Sequence, residues 1–467
     1  MFKDEELAYL ELTEVAELIR SRQITSVETT EASLRRIHAL EPALKSFVTV
    51  LADRALETAR QADLDIARGR YRGPLHGVPI AVKDLAYTTD APTGSGGTIN
   101  AGYVSSYDAT VVARLRAAGA VITGKLAMTE GAWAEHHPDL PVPVNPWDAE
   151  VWTGVSSSGS GVATAAGLCY ASLGSDTGGS IRLPASLNGV TGLKPTWGRV
   201  SRYGITELAA SLDHIGPMTR SARDAAAVLS VIAGADRNDP TSSVHPVPDY
   251  LAGIHLTRRP CVGIDWHLME RFDEPTRETM RNVVRVLEAL DWAVVEVNAP
   301  DLASAAADFE PLCSVETATA HADTYPARAS EYGPGLAHHI EQGRMMTAMQ
   351  YQRLMRRRRD FTGRMHRLLR GIDLFLLPGI GLSAPTLETV GSLGDNPDLL
   401  ATMLIPTAPI NLCELPTITL PGGFSERGTP LAFQFVGRPF EEQLLLQAAH
   451  AYQTATSFHR VHPEVSV

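Results

Sequence analysis

Lysine is scarce in this chain, because only five of its 41 basic residues are lysines: Lys3, Lys45, Lys83, Lys125 and Lys194. Lys83 ends the apolar run Gly77-Val-Pro-Ile-Ala-Val-Lys83, which predicts a strand. Arginine stays protonated in proteins, whereas a lysine withdrawn from water can lose its proton and act as a neutral base. Lys83 is therefore a candidate for a role that arginine cannot fill.

Other absences exclude several classes of protein. The four cysteines are far apart and form no CxxC pair, and no HExxH motif occurs, so we expect reduced, buried thiols and no metal site. No apolar run approaches 18 residues and the acidic N-terminal segment has no signal-peptide block, which predicts a cytoplasmic protein without membrane contact. The net charge of −12 argues against nucleic-acid binding. The absence of a P-loop argues against a nucleotide-binding module.

Two Gly/Ser-rich turns lie close together between Gly154 and Pro195. The first turn, Gly154–Gly161, is rich in Gly and Ser. Both residues favour turns, so we expect neither a helix nor a strand there. A short helix over 162–168 and a buried strand over 169–173 are predicted next, followed by a second turn, Gly174–Ser180. A serine that ends such a turn can be a nucleophile beside backbone N–H groups that bind an anion.

These segments resemble the amidase signature family. The resemblance rests on GVPIAVKDL, the Ser/Gly loop and GSDTGGSIRLPAS followed by GLKPTWGRVSRYG, and it covers about residues 74–220. It implies a Ser–cis-Ser–Lys triad with Lys83 as the base, Ser156 as the bridging serine after a cis peptide bond, and Ser180 as the nucleophile. Val155 and Ser158 stand where two glycines are usual in the family.

The backbone around Ser180 has an implied role as well. By the same resemblance, the N–H groups of Thr177, Gly178 and Gly179 form the oxyanion hole, and glycine permits the close approach that this requires. Asp176 and Arg182 flank the turn, and we interpret them as groups that hold it by hydrogen bonds. No cofactor is needed for this chemistry.

A histidine-based mechanism is the main alternative at the level of chemistry. His214, in the segment LDHIGPM, is the first candidate for a conventional Ser-His-Asp triad. The GxSxG motif of many serine hydrolases is absent, however. The pairs His136-His137 and His338-His339 show no metal-binding spacing.

The segment 128–147 departs from the family pattern and is apolar and rich in proline. We predict that it sets substrate choice, with Met128, Glu130 and Trp133 lining a stiff pocket. Such a pocket suits an enzyme that acts alone on an aryl or alkyl substrate.

Alternating helix and strand patterns predict a layered α/β fold. The family resemblance implies a mixed central β-sheet sandwiched between helical layers. We expect one domain over 1–467, two N-terminal helices within 5–41 capped by Thr13 and Ser26, and a helical excursion over about 315–370. Within the excursion, Arg356–Arg359 should be a solvated face, and its methionines should be packed. Residues 88–106 and 378–400 should be loops.

The predicted function is serine-dependent hydrolysis of a carbon–nitrogen acyl bond in a small amide. Carbamates and esters also remain open as substrates, because the same acyl-enzyme accommodates them. A second open alternative is the catalytic component of a glutamine-dependent tRNA amidotransferase, its A subunit, which works with partners. A homodimer is left open too.

Overall fold

One eleven-stranded β-sheet runs through the protein, for which a computed structural model describes residues 3–393 and 396–465. The strands are β1 (Phe47–Val50), β2 (Pro79–Lys83), β3 (Val121–Leu126), β4 (Ala171–Asp176), β5 (Thr191–Lys194), β6 (His214–Thr219), β7 (Cys261–Ile264), β8 (Ala293–Glu296), β9 (Leu374–Pro378), β10 (Thr417–Phe424) and β11 (Pro430–Val436). Their order is β1-β3-β2-β4-β6-β5-β10-β11-β9-β7-β8. Pairs β3–β2–β4 and β9–β7–β8 are parallel and the rest antiparallel, so the predicted mixed sheet of an α/β fold is confirmed.

Seventeen α-helices surround the sheet within the described residues. They are α1 (Asp4–Ala8), α2 (Leu12–Arg20), α3 (Ser26–Leu44), α4 (Ala52–Ala67), α5 (Thr110–Ala117), α6 (Ser158–Ala165), α7 (Arg182–Asn188), α8 (Ala222–Ile232), α9 (Trp266–Met269), α10 (Glu274–Ala289), α11 (Leu302–Ala320), α12 (Pro334–Met345), α13 (Ala348–Gly371), α14 (Leu387–Gly391), α15 (Pro397–Leu404), α16 (Ala408–Leu412) and α17 (Glu442–Ala455). None of those helices has both the length and the apolar character needed to cross a membrane.

Strand β2 shows that helices cover both faces of the sheet. Ile80 and Val82 belong to a core cluster with residues of α2 and α8, whereas Ala81 between them belongs to a second cluster with residues of α3 and α6. Side chains alternate between the two faces of a strand, so both faces of β2 are packed. By the same alternation, Lys83 shares the face of Ala81, toward α6.

The N-terminal prediction needs correction, because three helices replace the two expected ones and neither predicted cap is right. Glu11 precedes α2, and Thr25 caps α3 by accepting from the Glu28 N–H. The Thr13 hydroxyl instead donates to Asp224, and that of Ser26 donates to the Gly77 carbonyl. Both hydroxyls are used in tertiary contacts that local sequence does not reveal.

The region around the two Gly/Ser turns is more regular than predicted. Helix α6 begins at Ser158, so the second half of the first turn is helical, and β4 runs on to Asp176 instead of ending at 173. Tertiary packing explains both. A Cβ on Gly159 would meet backbone atoms of Ser46 and of Ala127, which follows β3, so only glycine fits at the start of α6. The last residues of β4, Ser175 and Asp176, pair with β6. Strands β1, β5 and β6 were not predicted, since they are short or contain glycine and proline.

Four further predictions were wrong in part. The segment 378–400 contains α14 and the first half of α15, whereas 88–106 is a loop as expected, although Thr88 and Thr93 are buried in it. Arg358 is buried and donates to the Leu412 carbonyl, unlike its three exposed neighbours. Met345 and Met349 are 75% and 66% exposed, not packed. The four cysteines are free thiols as expected, but Cys261 is only half-buried.

Candidate active site

Lys83, at the end of β2, is held by three serine hydroxyls. Its Nζ lies 2.6 Å from Ser156 Oγ, 2.9 Å from Ser157 Oγ and 2.8 Å from Ser175 Oγ. Ser156 and Ser157 come from the turn before α6, and Ser175 comes from β4. Three segments that are distant in sequence thus meet because β2 and β4 are parallel neighbours whose carboxyl ends lie at the same edge.

The hydrogen bonds around Lys83 allow a proton to pass from Ser156 to a neutral amine. The Ser157 hydroxyl donates to the Ser175 carbonyl at 3.0 Å, so its oxygen accepts from Lys83. A neutral amine has two N–H donors and one lone pair. If Ser157 and Ser175 take the two donors, the lone pair is left for the hydroxyl of Ser156, which is the shortest of the three contacts.

Burial makes that neutral form accessible. Lys83 is 1% exposed. Desolvation holds the pKa of its ammonium well below the ordinary 10.5, against the opposing attraction of the Asp176 and Asp213 carboxylates. The site therefore contains a lysine suited to accept a proton from Ser156.

Ser180 follows the second turn and is 9% exposed. The Val155–Ser156 peptide bond is cis, as the resemblance implies. The Ser157 N–H donates to the Ser180 carbonyl at 3.3 Å, which brings the two turns together through their backbones. Within the described part of the chain, the Ser180 hydroxyl makes no hydrogen bond. Catalytic hydrogen bonds often tighten only when substrate binds.

Asp176 holds the turn before Ser180 in place by hydrogen bonds, which confirms the interpretation from sequence. Its carboxylate accepts from the Gly179 and Ile181 N–H groups and pairs with Arg182 at 2.9 Å, with both side chains fully buried. Burial raises the pKa of the Asp176 carboxyl, but attraction to and hydrogen bonding by Arg182 outweigh it and hold the pKa well below 3.8.

One of the three N–H groups predicted for the oxyanion hole is already engaged within the protein. The Gly179 N–H already donates to Asp176 at 2.9 Å and is not free for a ligand. Among the described residues, the N–H groups of Thr177, Gly178 and Ser180 donate to no protein acceptor, and Gly178 is only half-buried. The Thr177 hydroxyl donates to Asp213 at 2.6 Å, which fixes the start of the turn.

We expect Asp176→Asn to lower the free energy of unfolding by about 3–5 kcal/mol at pH 7, because it leaves the buried Arg182 without its counter-charge. The wild-type carboxylate has a depressed pKa in the folded state, so its stabilisation is present above about pH 4 and is lost as the pH falls further. Urea unfolding at pH 7 and at pH 3 measures both effects.

Asp148→Asn is the matched control for this prediction, because Asp148 pairs with Arg427 in an exposed salt bridge. It should cost less than about 1 kcal/mol. Equal losses in the two variants would contradict the role given to Asp176.

The three predicted pocket residues have different environments. Met128 and Glu130 are buried, and both carboxylate oxygens of Glu130 accept from the Gly333 N–H, next to the first turn of α12. Trp133 is half-buried and stacks on His339 with the ring centroids 3.4 Å apart. Glu130 is thus engaged in holding α12, and a pocket lined by these residues stays a prediction.

The histidines do not form a competing triad. The Nδ1 atom of His214 lies 2.6 Å from the Leu212 carbonyl, and burial holds the pKa of its imidazole well below 6.5. In the described residues, His214 makes no hydrogen bond to Ser156 or Ser180. No group of three or more His, Cys, Asp or Glu residues in that part of the chain could hold a metal ion.

Sequence reasoning missed Ser175 and His136 as neighbours of the site. Ser175 lies in the run GSDTGGS, whose glycines predict a turn, so this serine was assigned to the turn and not to the end of a strand. His136 Nε2 lies 3.0 Å from Ser158 Oγ, and burial together with the nearby Lys83 lowers the pKa of His136 to about 4. Nothing in its local sequence indicated that contact.

Known proteins are similar to this chain along nearly its whole length. Residues 28–446 match the profile of the Amidase family. The chain is 58% identical over 462 residues to "Putative amidase AmiD" of Mycobacterium tuberculosis, covering 99% of this chain and 97% of that one. It is 37% identical over 497 residues to the A subunit of the glutamyl-tRNA(Gln) amidotransferase of Chloroflexus aurantiacus, covering 99% and 100%. The peptide amidase of Stenotrophomonas maltophilia superposes with a TM-score of 0.84 at 27% identity, covering 98% and 99%.

Proposed function

Because the chain belongs to the amidase signature family, we propose that it hydrolyses amides with Ser180 as the nucleophile, Ser156 as the proton carrier and Lys83 as the base. The class of reaction, amide hydrolysis, follows from the relatives that are named as amidases. The assignment of roles rests on one observation above the others. The Lys83 amine lies 2.6 Å from the Ser156 hydroxyl, with its other two contacts made to Ser157 and Ser175.

In the first half of the reaction, Ser180 Oγ attacks the amide carbonyl carbon. Its proton passes to Ser156 Oγ while the Ser156 proton passes to Lys83 Nζ. The carbonyl oxygen becomes an oxyanion, for which the N–H groups of Thr177, Gly178 and Ser180 are the available donors. The C–N bond then breaks, and the proton returns from Lys83 through Ser156 to the departing amine.

In the second half, water takes the place of the amine. Lys83 accepts a proton from it through Ser156, and the resulting hydroxide attacks the acyl-enzyme. Collapse of the second oxyanion breaks the bond to Ser180, which regains its proton along the same route. The products are a carboxylic acid and an amine, and the enzyme is unchanged.

Ser175→Ala should lower kcat for an amide by roughly 10- to 100-fold, because a buried hydrogen bond to the Lys83 amine is lost. Without that bond the lone pair no longer has a fixed direction, so the pH profile of kcat should shift as well. Steady-state kinetics from pH 6 to 10 checks both effects.

Ser172→Ala is the matched control. Ser172 lies on the same strand and is equally buried, but its hydroxyl bonds to Thr164 and to the Ser160 carbonyl. It should leave the pH profile unchanged. If the two variants behave alike, Ser175 has no positioning role.

Carbamates and activated esters belong to the proposal as further substrates, since both react through the same acyl-enzyme chemistry.

A second candidate function is glutamine hydrolysis as the catalytic component of a tRNA amidotransferase, which the 37% identity to such a component favours. A glutaminase assay with ammonia detection, run beside gel filtration, separates the two. Glutamine turnover that needs a partner would support the amidotransferase. The cytoplasmic location and the homodimer stay predictions.

A further inference from the structure

The aromatic ring of Phe309 lies against residues 177–180, which we call the oxyanion turn. Phe309 belongs to α11 and is 5% exposed. A Cβ added to Gly178 would meet this ring, with Cε1 and Cε2 only 2.8 and 2.9 Å away and Cζ closer still. Apart from chain neighbours, the three nearest heavy atoms to that position all belong to Phe309. The ring therefore packs directly on the α-carbon of Gly178, and a larger residue there would displace it.

The oxyanion turn is held by hydrogen bonds on both sides of Gly178 but not at Gly178 itself. The Thr177 hydroxyl donates to Asp213 at 2.6 Å, and the Gly179 N–H donates to a buried carboxylate at 2.9 Å. In the part of the chain that the structure describes, the N–H and C=O groups of Gly178 make no hydrogen bond. Glycine has wide conformational freedom, so the contact with Phe309 is the interaction left to fix this residue.

Helix α11 is itself attached to the segment that supports the oxyanion turn. The carboxylate of Glu316, on the same helix, accepts from the Ser211 N–H at 2.8 Å and from its hydroxyl at 2.6 Å. Ser211 lies in the same loop as Asp213, which holds Thr177. The helix thus reaches the turn by two routes, through packing from Phe309 and through hydrogen bonds from Glu316. A ring carried by such a helix can fix the backbone that it touches.

We propose that Phe309 is a positioning residue for the oxyanion hole, and that its ring keeps the N–H donors around Gly178 directed at the carbonyl oxygen of the substrate. The inference rests on the proposed function. Donors that are fixed in advance stabilise a developing negative charge without reorganisation. A displacement of about 1 Å in such a site can cost on the order of 100-fold in rate.

Phe309→Leu should lower kcat by roughly 10- to 100-fold and change KM little, because the affected donors act mainly in the transition state. The loss should be the same for acetamide, hexanamide and benzamide. Leu302→Ala is the matched control, since Leu302 is 1% exposed and lies at the start of the same helix. It should leave kcat unchanged. A thermal unfolding curve for each variant shows that the assayed protein is folded.

Gly178→Ala tests the contact itself. The added methyl group meets the Phe309 ring, so this variant should also lose kcat. In the double variant Gly178→Ala/Phe309→Ala, the methyl group can occupy space that the ring has vacated. The double variant should therefore exceed, by about tenfold, the kcat expected from multiplying the two single losses. Losses that simply multiply would overturn the inference.

Trifluoroacetophenone gives a readout that depends on the oxyanion, because the addition of Ser180 to this ketone places a negative oxygen at the same site. The corresponding alcohol binds without forming that charge. Phe309→Leu should weaken inhibition by the ketone about as much as it lowers kcat, and it should leave inhibition by the alcohol unchanged.

Equal weakening of the ketone and the alcohol, or altered relative kcat/KM among the three amides, would mean that Phe309 binds substrate. The inference would then be wrong, although the proposed function stands. An unchanged kcat in folded Phe309→Leu would have the same consequence. Failure of the wild-type enzyme on every amide, with no labelling of Ser180 by a fluorophosphonate, would overturn the proposed function instead.

Discussion

Ser180→Ala should abolish amide hydrolysis, with a loss in kcat on the order of 10⁴–10⁶, while the protein stays folded. The size of the loss follows from removing the nucleophile of a group of residues that act as a unit. Folding should survive because the contacts that shape the turn are made by Asp176 and Arg182 and by the Ser180 carbonyl, not by its hydroxyl. Kinetics with an amide and a thermal unfolding curve measure the two quantities.

A fluorophosphonate probe gives an independent readout. It should add its mass to the peptide that contains Ser180 in the wild-type enzyme and to no peptide in Ser180→Ala. Ser186→Ala is the matched control, since Ser186 is buried on α7 and its hydroxyl donates only to the Arg182 carbonyl within the described residues. That variant should keep both labelling and turnover. Labelling at another residue, or turnover in Ser180→Ala, would remove Ser180 from the mechanism.

The fold class and the order of the site residues were predictable because they depend on local pattern. Lys83 ends an apolar run that could be read as a strand, and Ser180 ends a turn rich in glycine. The family resemblance then supplied Ser156, which composition alone could not distinguish from Ser157, Ser158 and Ser160. In the structure, Ser156 makes the shortest of the three serine contacts to Lys83.

The contacts that were not predictable are those between segments distant in sequence. Ser175 faces Lys83 only because β4 pairs with β2, and the engagement of the Gly179 N–H depends on where the Asp176 carboxylate points. The N-caps failed for the same reason, since the Thr13 hydroxyl bonds to a residue 211 positions away. Local helix propensity does not contain this information, because the competing hydrogen bond is made to a residue outside the local stretch of sequence.

Val155 shows that a departure from a family pattern can be explained by packing. As a sequence feature, a valine in place of glycine gave no information about its neighbours. In the structure, its half-buried side chain packs against an apolar cluster that includes Leu183 of α7. The pocket expected over 128–147 remains a separate hypothesis. Trp133→Ala, assayed on a series of acyl groups, should change relative kcat/KM among them, and a uniform loss would contradict the pocket.

Lys83→Ala should damage amide hydrolysis far more than hydrolysis of a p-nitrophenyl ester. An amine leaves only with a proton, which in the proposed mechanism Lys83 returns through Ser156, whereas p-nitrophenolate leaves without one. A general acid contributes roughly 10²–10⁴-fold, so the amide-to-ester ratio of kcat/KM should fall by about that factor. Lys83→Met, closer in volume to lysine, guards against a loss caused by the cavity alone and should give the same ratio.

The pH dependence provides the second half of this test. Lys83 must be neutral to accept a proton, so wild-type activity should rise with pH as the ammonium deprotonates. It should level off well below pH 10.5, because burial lowers the pKa of Lys83. This rise should vanish in Lys83→Met for the ester, where residual activity can be followed. If the ratio and the pH profile are both unchanged in the two variants, Lys83 is structural and the proton travels by another residue, with His214→Ala as the next variant to assay.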